Sequence, residues 1–309
     1  MALKAIQSQP RAMREASVRN RSMKLNVPLL AAAIVCSVYS AKALAQNQGN
    51  RGDQSTRPEV SDVTGDRPAK SIQDNSFLIE EAYNQEPGVV QSFATMRGQG
   101  RDRFFAFTQE FPVGGQEHQL SYLLPYAYLR SDGQRARGVG DVLFNYRYQA
   151  LFESDFIPAF APRFSLIVPT GRASTGTGNG SFGFQGNLPF SKIVTDRITL
   201  HANAGLTSLF DVQDRRPTSF NLGGSIVYAA TRDLNILLET VGERIATVNA
   251  TGKIERQNAL TMSPGARYAF NFPDTQIVLG FGAPVTFERE KKPVFGAIFY
   301  LSVESKIIR

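Results

Sequence analysis

The chain has 309 residues, with 34 Lys or Arg against 27 Asp or Glu and a formal net charge of +7. That charge is unevenly placed: residues 1–45 carry seven basic side chains (Lys4, Arg11, Arg14, Arg19, Arg21, Lys24, Lys42) and one acid, Glu15, so the remainder is near +1. A basic balance confined to the leader gives no footprint for nucleic acid, and that partner is excluded. Cys36, the single cysteine, lies in the same leader, so the rest of the chain has no thiol for a disulfide, a Cys-ligated zinc or a nucleophile.

Residues 1–45 read as a signal peptide. Lys24 precedes an apolar core containing PLLAAAIVCSVY, too short to span a bilayer, and the run ends on Ala43-Leu44-Ala45, small residues of the kind a signal peptidase reads. Met23 is a plausible true start. Residues 46–73 are polar and rich in mixed charge, Gly and Pro, the composition of a disordered tail. Residues 74–87, DNSFLIEEAYNQEP, differ: Asp74, Asn75 or Ser76 could cap a short helix, Glu80 and Glu81 suit its first turns, and Pro87-Gly88 would stop it. This lead-in either packs at a barrel mouth or enters the barrel as a plug, with Asp74, Phe77, Glu80, Glu81 and Tyr83 as gating candidates.

Beyond Gly88 a two-residue period dominates. In GVGDVLFNYRYQALFE (138–153), Val142, Phe144, Tyr146 and Tyr148 alternate with Asp141, Asn145, Arg147 and Gln149, one greasy face and one wet face. Similar alternation marks residues 89–96, 103–111, 119–129, 162–169, 181–190, 197–209, 219–230, 234–241, 259–270, 276–283 and 294–303, which brings the count to about 12 strands. Compact turns, such as those at Pro112 and Thr231, alternate with longer charged connections at residues 131–138, 170–180, 211–218, 243–257 and 287–293. An even strand count, loops sorted by parity and an export signal together specify an all-β fold: a transmembrane antiparallel up-and-down β-barrel over 88–309. A secreted β-sandwich is the competing architecture. In the barrel the face of Phe144 meets lipid and that of Asn145 lines the lumen.

The pore-lining candidates are then Asp141, Asn145, Arg147, Gln149, Arg163, Gln185, His201, Asn203, Glu239 and Arg267. Charges of both signs inside a barrel need water or each other, so a hydrated pore with a transverse field and a dry paired network are both open. His201, with Thr199 and Asn203 on its face, admits a lipid hydrolase using Ser165 or Ser225, although no nucleophile motif supports one. His118 falls at a turn and reads as solvated. Two histidines without cysteine offer no metal spacing, and no cofactor is expected. Arg135, Arg137, Arg215, Arg216, Arg289, Lys291 and Lys292 on the outer loops are candidates for lipopolysaccharide phosphates. The glycine-rich TGRASTGTGNG lacks the Lys-Ser/Thr and following helix of a phosphate cradle and reads as a flexible surface loop.

GVGDV at 138–142 followed by Asn145-Tyr146-Arg147, the strand LIVPTGR at 166–172, and the segment DNSFLIEEAYNQEPGVVQ from Asp74 resemble a bacterial family of outer-membrane barrels. That family is named for a MetA pathway of phenol degradation and is often simply called transporters. The likeness runs from about residue 71 onward. It implies a barrel in the Gram-negative outer membrane, contacts with its lipids and with barrel-assembly machinery, and passage of small hydrophobic or aromatic solutes, without naming one. Such barrels usually finish on an aromatic residue, whereas this chain reads VESKIIR at its end. The function this supports is a non-enzymatic channel; a His201-centred hydrolase and a structural or adhesive barrel without a pore are the alternatives.

Overall fold

The computed structural model describes residue 72 and residues 74–131 and 134–307; the expected signal peptide and nearly all of the tail lie outside them. The described chain is a closed antiparallel barrel. Its segments are β1 (Val89–Gln99), β2 (Asp102–Pro112), β3 (His118–Ser131), β4 (Gln134–Val139), β5 (Val142–Tyr148), β6 (Ala159–Phe160), β7 (Arg163–Val168), β8 (Gly183–Thr195), β9 (Ile198–Leu209), β10 (Thr218–Ala229), β11 (Leu234–Val248), β12 (Ile254–Asn271), β13 (Thr275–Gly282), β14 (Val285–Glu288) and β15 (Val294–Lys306). β4 and β5 are one staircase strand interrupted at Gly140-Asp141, and β13 and β14 are another, interrupted at Ala283-Pro284, where proline has no N–H to give the ladder. Setting aside the two-residue β6, 12 strands span the wall. Closure is made by β1 and β15, paired from Val89↔Lys306 to Gln99↔Gly296, so no edge is left with backbone groups unpaired in hydrocarbon.

The alternation read from the sequence becomes two environments. Phe144, Phe164, Leu222 and Phe299 point outward and are more than half exposed, while Asn145, Arg147, Gln185 and Asn203 on the inner face are buried. A wall that is apolar outside and polar inside inverts a soluble core, which is what a lipid surrounding requires. His118, partly exposed, opens β3 where the turn ends and lies against Tyr146 and Tyr148, with ring centroids 6.0 and 5.4 Å away; its Nδ1 shares a 2.8 Å hydrogen bond with the Tyr146 hydroxyl. These rings sit at the short-turn end, where aromatic side chains suit a membrane interface.

Two expectations change. The outer connections are shorter than expected because the strands continue through them: β11 runs to Val248 and β12 starts at Ile254, and β4 begins at Gln134. The charged residues there occupy the hairpins at that end of the wall. The lead-in is not a helix: residues 74–87 carry no helical turn and run extended and bent.

Candidate functional site

Once outside a helix or a ladder, the lead-in needs another source of partners for its backbone, since buried amides and carbonyls cannot be left unpaired. The inner wall supplies them from side chains, passing from β12 through β10 and β11 to β9, β8, β5 and β3. Arg267 on β12 donates from Nη1 to the carbonyls of Asp74 (2.6 Å) and Asn75 (2.9 Å), and from Nη2 to that of Ile72 (3.2 Å). Ser76 Oγ meets Ser225 Oγ of β10 at 3.0 Å. Glu239 Oε1 on β11 accepts from the amides of Leu78 (2.7 Å) and Ile79 (3.0 Å). Asn203 on β9 accepts from the Glu80 amide and donates to its carbonyl, each at 2.8 Å. Ser191 Oγ on β8 accepts from the Ala82 amide at 2.8 Å. Gln149, just past β5, accepts from the Asn84 amide (2.9 Å) and donates to the Ala82 carbonyl (2.7 Å), and Gln119 on β3 accepts from the Gln85 amide at 2.8 Å.

The segment therefore circles the inside of the wall and returns to its start. Gln91 on β1 locks the two ends, accepting from Gln85 Nε2 at 2.7 Å and donating to Asp74 Oδ1 at 2.7 Å. Asn75 Oδ1 accepts from the Glu81 amide at 3.1 Å, a bond within the segment itself. Tyr83 ties the circle to the short-turn side, its hydroxyl donating to Glu153 Oε2 at 2.5 Å, while Glu153 also holds Lys192 at 2.9 Å.

Charge is matched inside. Arg163 on β7 donates from Nε to Glu80 Oε1 at 2.6 Å and from Nη2 to Gln185 at 3.0 Å, and also bonds Ser165 and Asn145. Asn187 donates to the other Glu80 oxygen. Burial pulls the Glu80 carboxyl upward, but Arg163 beside it, with Arg147 and Asn187, outweighs burial and holds Glu80 below the usual range. Asp74 goes the other way: burial pushes it up against the pull of Arg267, Tyr300, Gln91 and Ser302. Arg147 on β5 donates from Nε to Asn84 Oδ1 (2.7 Å) and from Nη2 to the Tyr83 carbonyl (2.6 Å), and lies 3.9 Å from Glu110.

Two apolar side chains of the ring sit in glycine sockets. A Cβ at Gly280 would lie 2.5 Å from Phe77 Cε1, one at Gly265 2.6 Å from Cε2, and one at Gly282 2.9 Å from Cδ2. Ile79 similarly uses Gly223, where a Cβ would come within 2.7 Å of its Cδ1. Tyr300, its ring centroid 5.8 Å from that of Phe77, and Phe93 complete the first socket.

Toward the long-loop end the inner wall changes character. Phe104, Ala127 and Leu129 form one buried apolar cluster, and Leu143, Ile167 and Leu209 another, with Leu123 and Val212 against it. Asp141 is the exception among the ten wall candidates. It stands at the break between β4 and β5 and binds the 170–180 connection, accepting from the amides of Gly171 (3.0 Å) and Asn179 (2.7 Å) and from Asn179 Nδ2 (2.9 Å). Thr170 Oγ1 bridges the same break, donating to the Gly140 carbonyl (2.8 Å) and accepting from the Val142 amide (3.0 Å). A Cβ at Gly171 would lie 2.6 Å from Gly178 Cα and 2.9 Å from the Gly140 carbonyl carbon, so three glycine backbones stack there. The GVGD and PTG motifs are thus two halves of one latch, and the glycine-rich segment is a packed connection in which Thr177 and Asn179 are buried.

His201 finds a serine, but Ser191 rather than Ser165 or Ser225: its Nδ1 and Ser191 Oγ are 2.7 Å apart. That Oγ already accepts the Ala82 amide, which makes the pair an anchor of the ring. Among the described residues no group of three His, Cys, Asp or Glu is placed to hold a metal. Gln91, Glu110, Gln119, Ser191 and Tyr300 belong to the ring's cradle and were not singled out from sequence. The first four sit on the polar phase of their strands and could have been; Tyr300 shares its phase with Ser302 and Glu304, so its direction was readable, but a tyrosine on β15 does not announce a contact with the ring.

No curated protein matches the chain. Among solved structures it is similar to the COG4313 outer membrane channel from Pseudomonas putida F1, with a TM-score of 0.56 and 11% identity over 72% of this chain and 97% of that one. It is also similar to the KdgM porin (TM-score 0.45, 13% identity, 70% and 98% covered) and to the TodX deltaS2S3 mutant monoaromatic hydrocarbon channel (0.40, 9%, 72% and 91%). At such identities the likeness is one of fold. A family profile described as "Putative MetA-pathway of phenol degradation" matches residues 66–301. Most of the chain, from the ring through both halves of the latch to the closing strand, lies inside that match, and the protein belongs to this family.

Proposed function

We propose that the protein is a non-enzymatic channel of the Gram-negative outer membrane, that it admits small apolar solutes, and that the ring of residues 74–85 gates it. The observation that carries this reading is the division of the inner wall. Its outer half is lined by the two apolar clusters around Phe104 and Leu143, which suit an apolar solute arriving from outside. Its other half is polar and occupied by a segment held by side chains alone, a connection that can be undone without breaking the barrel ladder. The likeness in fold to the COG4313 outer membrane channel accords with it. In this orientation Arg135, Arg215 and Arg216, exposed on the outer hairpins, are the side chains offered to lipopolysaccharide phosphates.

A closed structural barrel is the second reading, favoured by how many of the wall's polar groups are matched to the ring. Apolar molecules cross phospholipid unaided, so the deciding assay uses lipopolysaccharide-bearing cells. Uptake of radiolabelled naphthalene is expected to be faster in cells producing the barrel than in cells lacking it, with no change in the compound itself. Equal rates, together with no conductance steps from the purified protein in planar bilayers, would leave the structural barrel.

A further inference from the structure

The Phe77 socket has the features of a ligand site filled by the chain's own ring. Its floor is three glycines on two adjacent strands, Gly265 on β12 and Gly280 and Gly282 on β13, each of which would strike the phenyl ring if it carried a methyl group. Glycine inside a strand weakens it and marks close approach by something else. Here the approaching group is a six-membered aromatic ring, packed on Tyr300.

The rim of the socket carries something Phe77 does not use. Ser263 Oγ and Phe77 Cδ2 converge over Gly282, lying 3.2 and 2.9 Å from the position of its absent Cβ. Ser263 is fully buried and its hydroxyl has no hydrogen-bond partner. Directly opposite it in the β11–β12 register is Glu239, whose Oε2 is buried and likewise unpartnered. Two orphaned polar atoms on facing residues at the rim of this socket are costly where they stand. A hydroxyl on a ring in this position would satisfy both, donating to the carboxylate oxygen and accepting from the serine. Glu239 is also the residue whose other oxygen holds the amides of Leu78 and Ile79, the two positions after Phe77.

We infer that the socket is a recognition site for a monocyclic hydroxyaromatic solute, which competes with Phe77 and thereby releases the ring. The inference rests on the channel reading and adds the trigger: Phe77 stands in for the solute in the closed state, and lacks the one group the rim is built to bind. Ring release follows because the solute takes the Phe77 seat and engages the carboxylate that anchors the next two residues.

The test uses the full barrel in detergent. Since Cys36 is the only cysteine, Leu78→Cys in a Cys36→Ser background reports ring release through its labelling rate with a charged maleimide. Phenol is expected to raise that rate at least tenfold, toluene less, and cyclohexanol, which has the hydroxyl without the flat ring, not at all. Ser263→Ala should weaken the phenol response by about tenfold in effective concentration, the worth of one hydrogen bond, while leaving it above that to toluene because the bond to Glu239 remains. Gly280→Val should expel Phe77 permanently and label fast with or without phenol; should it fail to fold, Phe77→Ala serves, labelling fast without phenol for the same reason. Cyclohexanol acting as well as phenol, or Ser263→Ala leaving the phenol response unchanged, would overturn the assignment. Labelling indifferent to phenol while naphthalene uptake by cells persists would overturn this trigger and leave the channel standing; loss of both would remove the channel reading itself.

Discussion

Arg267→Met tests whether the ring is a gate. Arg267 is 2% exposed and gives three hydrogen bonds to the ring's first carbonyls, at 2.6, 2.9 and 3.2 Å. A charged donor on a carbonyl contributes roughly 1.5–3 kcal/mol when it cannot be replaced. Here the three bonds share one guanidinium, methionine keeps the aliphatic packing, and water reaching the freed carbonyls restores part of the loss. About 3 kcal/mol is then the share removed from the docked ring, a shift of about 150-fold between docked and released states. If the wild-type ring is released about 0.1% of the time, at the low end of populated minor states, the variant is released above about 10% of the time. Single-channel recordings in planar bilayers should show that change as a longer open fraction at unchanged open conductance. The barrel ladder does not involve this side chain, so the heat-dependent shift on gels should persist. An open fraction equal to wild type, in a variant that shows the gel shift, would refute the view that these contacts hold a gate closed.

Acid should loosen the same ring. The folded-state pKa of Glu80 is held low, so its contribution to docking is intact above the unfolded value of about 4.5 and is lost as pH falls through the lower folded value; Asp74, pushed upward, is relieved by the same protonation and works against release. Open fraction should therefore rise below about pH 4 in wild type and not in Glu80→Gln, and a pH response unaltered in that variant would exclude Glu80 as its source. Asp141→Ala removes all three contacts that Asp141 makes to the 170–180 connection and should lower urea resistance by about 2–4 kcal/mol without altering the open fraction, read by equilibrium unfolding in detergent micelles. Phe144→Arg places a charge on the lipid face and should cost about 2–4 kcal/mol of stability in bilayers if the residue lies near mid-membrane. Equal stability of that variant and wild type in liposomes would contradict the orientation of the wall.

Alternation alone determined much of this molecule. A strand whose even positions are Val142, Phe144, Tyr146 and Tyr148 and whose odd positions are Asn145, Arg147 and Gln149 has only one arrangement in a bilayer, and twelve such strands close because an unclosed sheet cannot exist there. The inward direction of Arg147, Arg163, Asn203, Glu239 and Arg267 was legible for the same reason, since side-chain direction is local to each strand. What these residues bind was not. Their partners are backbone and side-chain groups of a segment 63–195 positions away, and nothing in a strand's pattern records a contact across the lumen. The lead-in was read with a possible helix because its capping residues and acids suit one; the wall overrode that preference by offering side-chain partners to an extended backbone. The glycines were the least legible of all. Gly265, Gly280 and Gly282 are scattered over two strands, and only the β12–β13 register brings them under one phenyl ring. Local periodicity sets which way a side chain points; what it meets is decided by register, closure and the path of the chain through the lumen.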